Sequence, residues 1–144
     1  MKAITTPELF QLVFLQIAIN HKPSNAWFTL DDAIFHTAIF KLQQEYGKTF
    51  PPLEKLHFMT AGAFPYSHEL SDAISSLKAG YLATLIMPRM KKYYYCRLLG
   101  KDSGPFLAKA VEDIFQDDSL AKESFQEFVL ELWATIRRCP YPVT

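Results

Sequence analysis

The sequence predicts a single mainly α-helical domain with one β-hairpin (α+β), built on a winged helix-turn-helix-like core. A chain of 144 residues that is 49% hydrophobic has the size and apolar content of one globular domain. Apolar residues recur at helical spacing in most of the chain, and their period changes to two between residues 81 and 98. The resulting order of elements is that of a winged-helix core over about residues 7–100, with a C-terminal helical extension over 105–138.

The N-terminal part of the chain predicts two largely apolar helices. Pro7 begins the first helix, which ends between Asn20 and Pro23. Because this helix is apolar on nearly every side, we expect it either to be central in the fold or to be buried in a homodimer. Thr29 begins the second helix, and Gly47 ends it.

The middle of the chain predicts a short strand, a third helix and the hairpin. Pro51-Pro52 disfavours helix, so a short strand is expected over 53–59. Ser67 is the expected N-cap of the third helix, which ends near Gly80. The alternation from residue 81 to 98 predicts the hairpin. In a winged-helix core these two elements are the recognition helix and the wing.

The C-terminal part predicts two more helices. Pro105 begins one of them, and the segment Asp117-Asp118-Ser119 separates it from the last, which runs from about Leu120 to Arg138. The apolar positions of both helices follow one face, as expected for helices that pack on a core.

The neutral net charge conceals two segments of opposite sign. Lysine plus arginine and aspartate plus glutamate both number 15. The segment 78–101 contains six cations and no acid, whereas 112–131 contains seven acids and one lysine, so its charge is 1 − 7 = −6. The basic hairpin is therefore either a free cationic surface or the partner of the acidic helices, within one chain or across a dimer.

The sequence predicts no catalytic residue, no metal site and no cofactor. Ser67, His68 and Glu69 are triad residue types, but neighbours in a helix point in different directions, so a nucleophile and its base do not meet. The four histidines lack metal-binding spacing, and His36 is expected to be a helix histidine whose hydrogen bonds are satisfied. We therefore expect that the protein is not an enzyme.

Cysteine usage and hydropathy predict a cytoplasmic protein without a membrane span. Cys96 and Cys139 match neither a disulfide framework nor a zinc motif. The apolar run from Leu9 to Ile19 is shorter than the roughly 20 residues that a membrane span requires. It also lacks the flanking residues of a signal peptide.

Part of the sequence resembles a known family. The segment Ile34-Phe35-His36-Thr37-Ala38-Ile39-Phe40-Lys41-Leu42-Gln43 is followed by Phe64-Pro65-Tyr66-Ser67, Leu70, Ile74, Leu77 and Gly80-Tyr81-Leu82. This pattern resembles Panacea-type (SocA-like antitoxin) domains and related bacterial winged-helix proteins, in which a Gly-Pro-Tyr-Ser turn precedes a helix and a hairpin. Phe64 replaces that glycine here, although Gly62 is close by. The resemblance covers about the middle half of the chain and implies a non-catalytic bacterial or phage protein that neutralises or regulates a partner.

Two functions stay open from the sequence. The first is a small regulatory interaction protein, antitoxin-like or adaptor-like, that binds a partner protein through the third helix and the hairpin. The residues expected to bind this partner are His68, Asp72, Ser75, Arg89 and Met90. The alternative is a winged-helix transcriptional regulator whose basic wing binds the phosphates of double-stranded DNA. The residues expected to bind DNA are Arg89, Lys91, Lys92, Tyr93 and Arg97.

Overall fold

The computed structural model describes residues 3–21, 27–77, 82–86, 92–97, 103–116 and 118–137. Six helices make up most of the regular structure of this part: α1 (Thr6–His21), α2 (Asp32–Tyr46), α3 (Pro51–Glu54), α4 (His68–Ser76), α5 (Ser103–Phe115) and α6 (Ser119–Arg137). The remaining regular elements are strands β1 (Trp27–Asp31), β2 (Leu82–Ile86) and β3 (Lys92–Arg97). They pair antiparallel in the order β1-β3-β2.

The predicted α+β fold with a winged-helix-like core is wrong, because the described chain is mainly helical. Pro51-Pro52 begins the short helix α3 instead of excluding helix, since proline lacks only an N–H that the first helical turn leaves unbonded. In place of the strand expected over 53–59, Met59 makes one isolated β-bridge with Tyr66. β3 also lies between β2 and the unpredicted strand β1, which differs from the free two-stranded wing of the prediction.

α1 is the central helix of the domain. All residues from Leu9 to Ile17 except Gln11 are buried, so almost the whole circumference of the helix is covered. The elements that cover it include α3, α4, α5 and α6 of the same chain, and Phe35 of α2 packs against Phe10 and Phe14. Of the two sequence-based alternatives for this helix, the central position is confirmed, and α1 supplies no reason for a homodimer. A homodimer stays a prediction for measurement in solution.

A cluster of phenylalanines joins the α2–α3 junction to the C-terminal helices. The Phe50 ring centroid lies 6.2 Å from that of Phe115 and 5.9 Å from that of Phe128, both in edge-on geometry. The Gln43 side-chain amide donates to the carbonyl oxygens of Leu53 (3.0 Å) and Leu56 (2.8 Å). These bonds fix α3 against α2 and so hold Phe50 in the core.

The ends of α2 follow from local chemistry. Asp31, rather than the predicted Thr29, is the N-cap, and its Oδ1 accepts the Ile34 N–H at 3.2 Å. Gly47 is the C-cap, as predicted. A Cβ at Gly47 would lie 2.6 Å from the Gln43 carbonyl oxygen, so a side chain at this position would need the backbone to move.

The turn between α5 and α6 contains a residue in the left-handed region. Gln116 has a φ of 53°, and its N–H donates to the Glu112 carbonyl oxygen at 2.8 Å. Asp118 then accepts the Ala121 N–H at 3.0 Å and begins α6. Helix ends of this kind favour glycine, because any Cβ raises the energy of a positive φ.

We therefore expect Gln116→Gly to increase the free energy of unfolding by about 0.5–1 kcal/mol. Gln116→Ala is the matched control, because it shortens the side chain but keeps the Cβ, and it should not increase stability. Urea unfolding of the three proteins at pH 7 measures the difference. Equal stability of the glycine and alanine variants would contradict this account of the turn.

Candidate functional site

α4 has one buried face and one exposed face. Leu70, Ala73 and Ile74 are buried, and α4 contacts α1. His68, Asp72 and Ser75, the described members of the predicted partner-binding set, are all exposed. Their spacing of four and three residues places them on one side of the helix. The structure therefore brings these three residues together on a continuous face.

Three of the other predicted binding residues lie in the sheet, and three lie outside the described ranges. Arg89, Met90 and Lys91 fall outside the described residues. Lys92, Tyr93 and Arg97 belong to β3, where the backbone of Arg97 is opposite Trp27 and that of Tyr93 is opposite both Asp31 and Leu85. The proposed wing contact to DNA therefore stays a prediction.

Ser67 fixes the beginning of α4. Its side chain is fully buried, and its Oγ accepts the Leu70 N–H at 3.2 Å, which confirms the predicted N-cap. The preceding residue, Tyr66, exchanges two backbone hydrogen bonds with Met59, of 2.8 and 3.0 Å. The turn that leads into α4 is therefore held at Tyr66 by Met59 and at Ser67 by the helix cap. These bonds define the direction in which the helix begins.

His36 of α2 lies directly beneath this turn. Its side chain is fully buried, and its Nδ1 accepts the backbone N–H of Ser67 at 3.2 Å. Its ring stacks on Tyr66, with centroids 4.7 Å apart and planes inclined by 15°. The other ring nitrogen, Nε2, lies 3.4 Å from Asp32 Oδ1. The prediction of a satisfied helix histidine is confirmed only for Nδ1, because Nε2 is buried and makes no hydrogen bond within the described residues. The contact of His36 with the α4 cap was not predicted.

Asp32, His36 and Ser67 have the residue types of a catalytic triad without its geometry. The ring bonds the backbone N–H of Ser67, whereas a triad histidine must bond the hydroxyl oxygen. That oxygen accepts a helix N–H instead and is enclosed in the core. The arrangement positions the turn and offers no exposed nucleophile.

A second contact joins α4 to the segment before the turn. Glu69 Oε1 accepts the backbone N–H of His57 at 2.8 Å and lies 2.9 Å from His57 Nδ1. These bonds, led by the one from the His57 backbone, lower the pKa of Glu69 from its usual 4.5. Glu69 is therefore engaged within the chain.

The acidic character of the C-terminal helices is retained at the surface. Glu123, Glu127 and Glu131 of α6 are exposed. The Tyr46 hydroxyl donates to Glu131 Oε1 at 3.0 Å, and burial followed by this bond raises the pKa of Tyr46. Burial and the neighbouring Glu131 also raise the pKa of Glu45. Whether the basic segment neutralises these acids depends on residues outside the described ranges.

The described ranges contain neither a candidate metal site nor a candidate membrane-spanning helix. No group of three or more His, Cys, Asp or Glu side chains there is arranged to hold a metal ion. No helix in the same ranges is long and apolar enough to cross a membrane. The outer face of α4 is the candidate site because its exposed residues lie together, and His36, Ser67 and Glu69 position the helix.

The Glu69 contact predicts a pH-dependent contribution to stability. A lowered pKa means that the contribution is present above pH 4.5 and is lost as the pH falls through the folded-state pKa. We expect Glu69→Gln to reduce the free energy of unfolding at pH 7 by on the order of 0.5 kcal/mol, since the site is solvent-exposed. The difference from the wild type should shrink at pH 3.

Urea unfolding at both pH values measures this effect. Glu54→Gln, at an exposed glutamate of α3, is the matched control. A Glu69→Gln effect that is equal at pH 7 and pH 3, or equal to that of the control, would contradict the assignment.

Comparison of the chain with models of protein families, with curated proteins and with solved structures finds no match. The resemblance to Panacea-type domains therefore stays a prediction that these comparisons do not test.

Proposed function

We propose that this chain is a small non-catalytic interaction protein that binds a partner protein through the outer face of α4. We call the exposed residues His68, Asp72 and Ser75 the α4 face. The observation that carries the proposal is that α4 is held rigidly while this face stays exposed. Preorganised exposed side chains bind at a lower entropic cost than mobile ones.

Three contacts supply this rigidity. The Ser67 hydroxyl caps the helix, His36 Nδ1 accepts the Ser67 N–H, and Glu69 bonds His57. The buried residues Leu70 and Ile74 are 0% exposed and attach the inner side of α4 to the core. These contacts give the backbone of α4 a defined position, so the α4 face has a defined orientation on the domain.

The charge of α4 favours a protein partner over nucleic acid. The helix contains Glu69 and Asp72 and no lysine or arginine. Phosphate groups require cationic or neutral hydrogen-bond donors, so an exposed Asp72 would oppose entry into a DNA groove. A protein surface with a cationic or donor group opposite Asp72 fits this face better.

An exposed apolar side chain adjoins the turn that leads into α4. Met59 is 52% exposed and pairs through its backbone with Tyr66, whose ring contacts that of His68 at 5.1 Å. Methionine adapts its shape to a partner and is common at binding surfaces. Met59 therefore adds apolar contact area near the N-terminal end of the α4 face.

The proposal includes a cytoplasmic setting. Its support is the cysteine usage, since Cys96 and Cys139 are too few and too far apart in sequence for a secreted disulfide framework. The proposed class is an antitoxin-like or adaptor-like regulator. Its partner is expected to place a cationic or hydrogen-bond-donating group opposite Asp72.

Site-specific photo-crosslinking tests the proposal. A photoreactive residue at Ser75 is expected to give a discrete protein adduct in nuclease-treated lysate of the source cells. Asp72→Lys should reduce the yield at least about tenfold, because it places a like charge opposite the partner's donor group. Lysine is a good helix former and position 72 is exposed, so the fold should persist.

The matched control is the same photoreactive residue at Glu123, an exposed position of α6. An adduct that forms equally from Glu123, or that is unaffected by Asp72→Lys, would contradict the proposed face. A nuclease-sensitive adduct would contradict a protein partner and would favour DNA.

A further inference from the structure

The two ring nitrogens of His36 have different roles. Nδ1 accepts the backbone N–H of Ser67 at 3.2 Å, so this nitrogen carries no proton in the folded protein. The single proton of the neutral ring is therefore on Nε2, which faces Asp32 Oδ1 at 3.4 Å. The fold thus selects one tautomer of a side chain that is 0% exposed.

We infer that His36 is a protonation-sensitive positioning residue that holds the N-terminus of α4 only while its ring is neutral. A second proton on the ring must be added at Nδ1. That nitrogen would then donate rather than accept, and its N–H would face the N–H of Ser67. The bond that fixes the turn is lost, and two donors oppose one another.

Asp32 determines where the strain of this change is released. Its carboxylate lies next to Nε2 and stabilises a positive ring, so the charged side chain is retained at its place on α2. The unfavourable contact is then on the opposite side of the ring, at Ser67. Protonation of His36 is therefore expected to disrupt the turn and the N-cap of α4 before it disrupts the core around α1.

The surroundings of the ring are otherwise aromatic. Phe35, Phe64 and Tyr66 contact it, with centroid distances from 4.7 to 6.3 Å. Within the described ranges, Asp32 on its own helix is the carboxylate within 4 Å, and Tyr66 is the titratable group that the packed turn contributes. Of the other described histidines, His68 contacts the Tyr66 ring that stacks on His36, and His57 contacts Glu69.

The consequence for binding rests on the proposed function of the α4 face, whereas the coupling between His36 and Ser67 does not. Release of the Ser67 N–H would loosen the first turn of α4, which carries His68. A regulator of this kind would bind its partner tightly in the neutral form of His36 and weakly in the charged form.

NMR of the full chain without a partner tests the coupling. Imidazole nitrogen shifts of His36 and amide hydrogen exchange of Ser67 and Leu70 are measured between about pH 8 and pH 5. We expect the Nε2–H tautomer at the upper end. As His36 becomes charged, the protection factors of Ser67 and Leu70 should fall about tenfold, as expected for loss of a buried hydrogen bond. The amide of Val129 in α6 should keep its protection.

Three variants separate the effect of His36 protonation from that of the other described histidines. His36→Gln keeps an acceptor for the Ser67 N–H and does not titrate, so the protection of Ser67 should become independent of pH. His57→Gln and His68→Gln should keep the wild-type pH dependence, and they serve as the test if His36→Gln does not fold.

Protection that is unchanged when His36 becomes charged would overturn the inference. A ring that stays neutral until the whole protein unfolds would also overturn it, as would loss of the pH dependence in His57→Gln or His68→Gln. Each of these results leaves the crosslinking test of the α4 face unaffected, because the NMR experiment contains no partner.

Discussion

The enclosure of α1 is the constraint on which the rest of the structure depends. A helix that is apolar on nearly every side must be covered all round, because each exposed apolar side would be hydrated at a cost of about 25 cal/mol per Å². The chain meets this requirement with its own helices α2 to α6. The position of α4 against α1 then decides which of its residues face outward.

The contacts at the start of α4 convert this packing into a defined surface. Burial of Leu70 and Ile74 fixes the inner side of the helix, but it does not prevent the first turn from rotating or fraying. The Ser67 cap and the His36 ring supply that control from α2. The orientation of the exposed face therefore depends on both the core packing and the buried histidine.

The sequence predicts the features that depend on neighbours in the chain and misses those that depend on distant residues. The Ser67 cap and the apolar spacing of α4 are local, so they were predictable. The Pro51-Pro52 segment was assigned wrongly because proline is compatible with both a helix start and an extended chain. The bond between His36 and Ser67 joins residues 31 positions apart, and no spacing rule contains it. β1 was missed because its pairing with β3 is also long-range.

Hydrogen exchange of the α1 amides, at two protein concentrations that differ by about tenfold, tests the central claim most directly. Enclosure within one chain predicts that these amides are among the slowest to exchange and that their protection is the same at both concentrations. Protection of α1 that increases with concentration would show that a second copy covers the helix. That result would contradict the account, as would α1 amides that exchange as rapidly as those at the exposed end of α4.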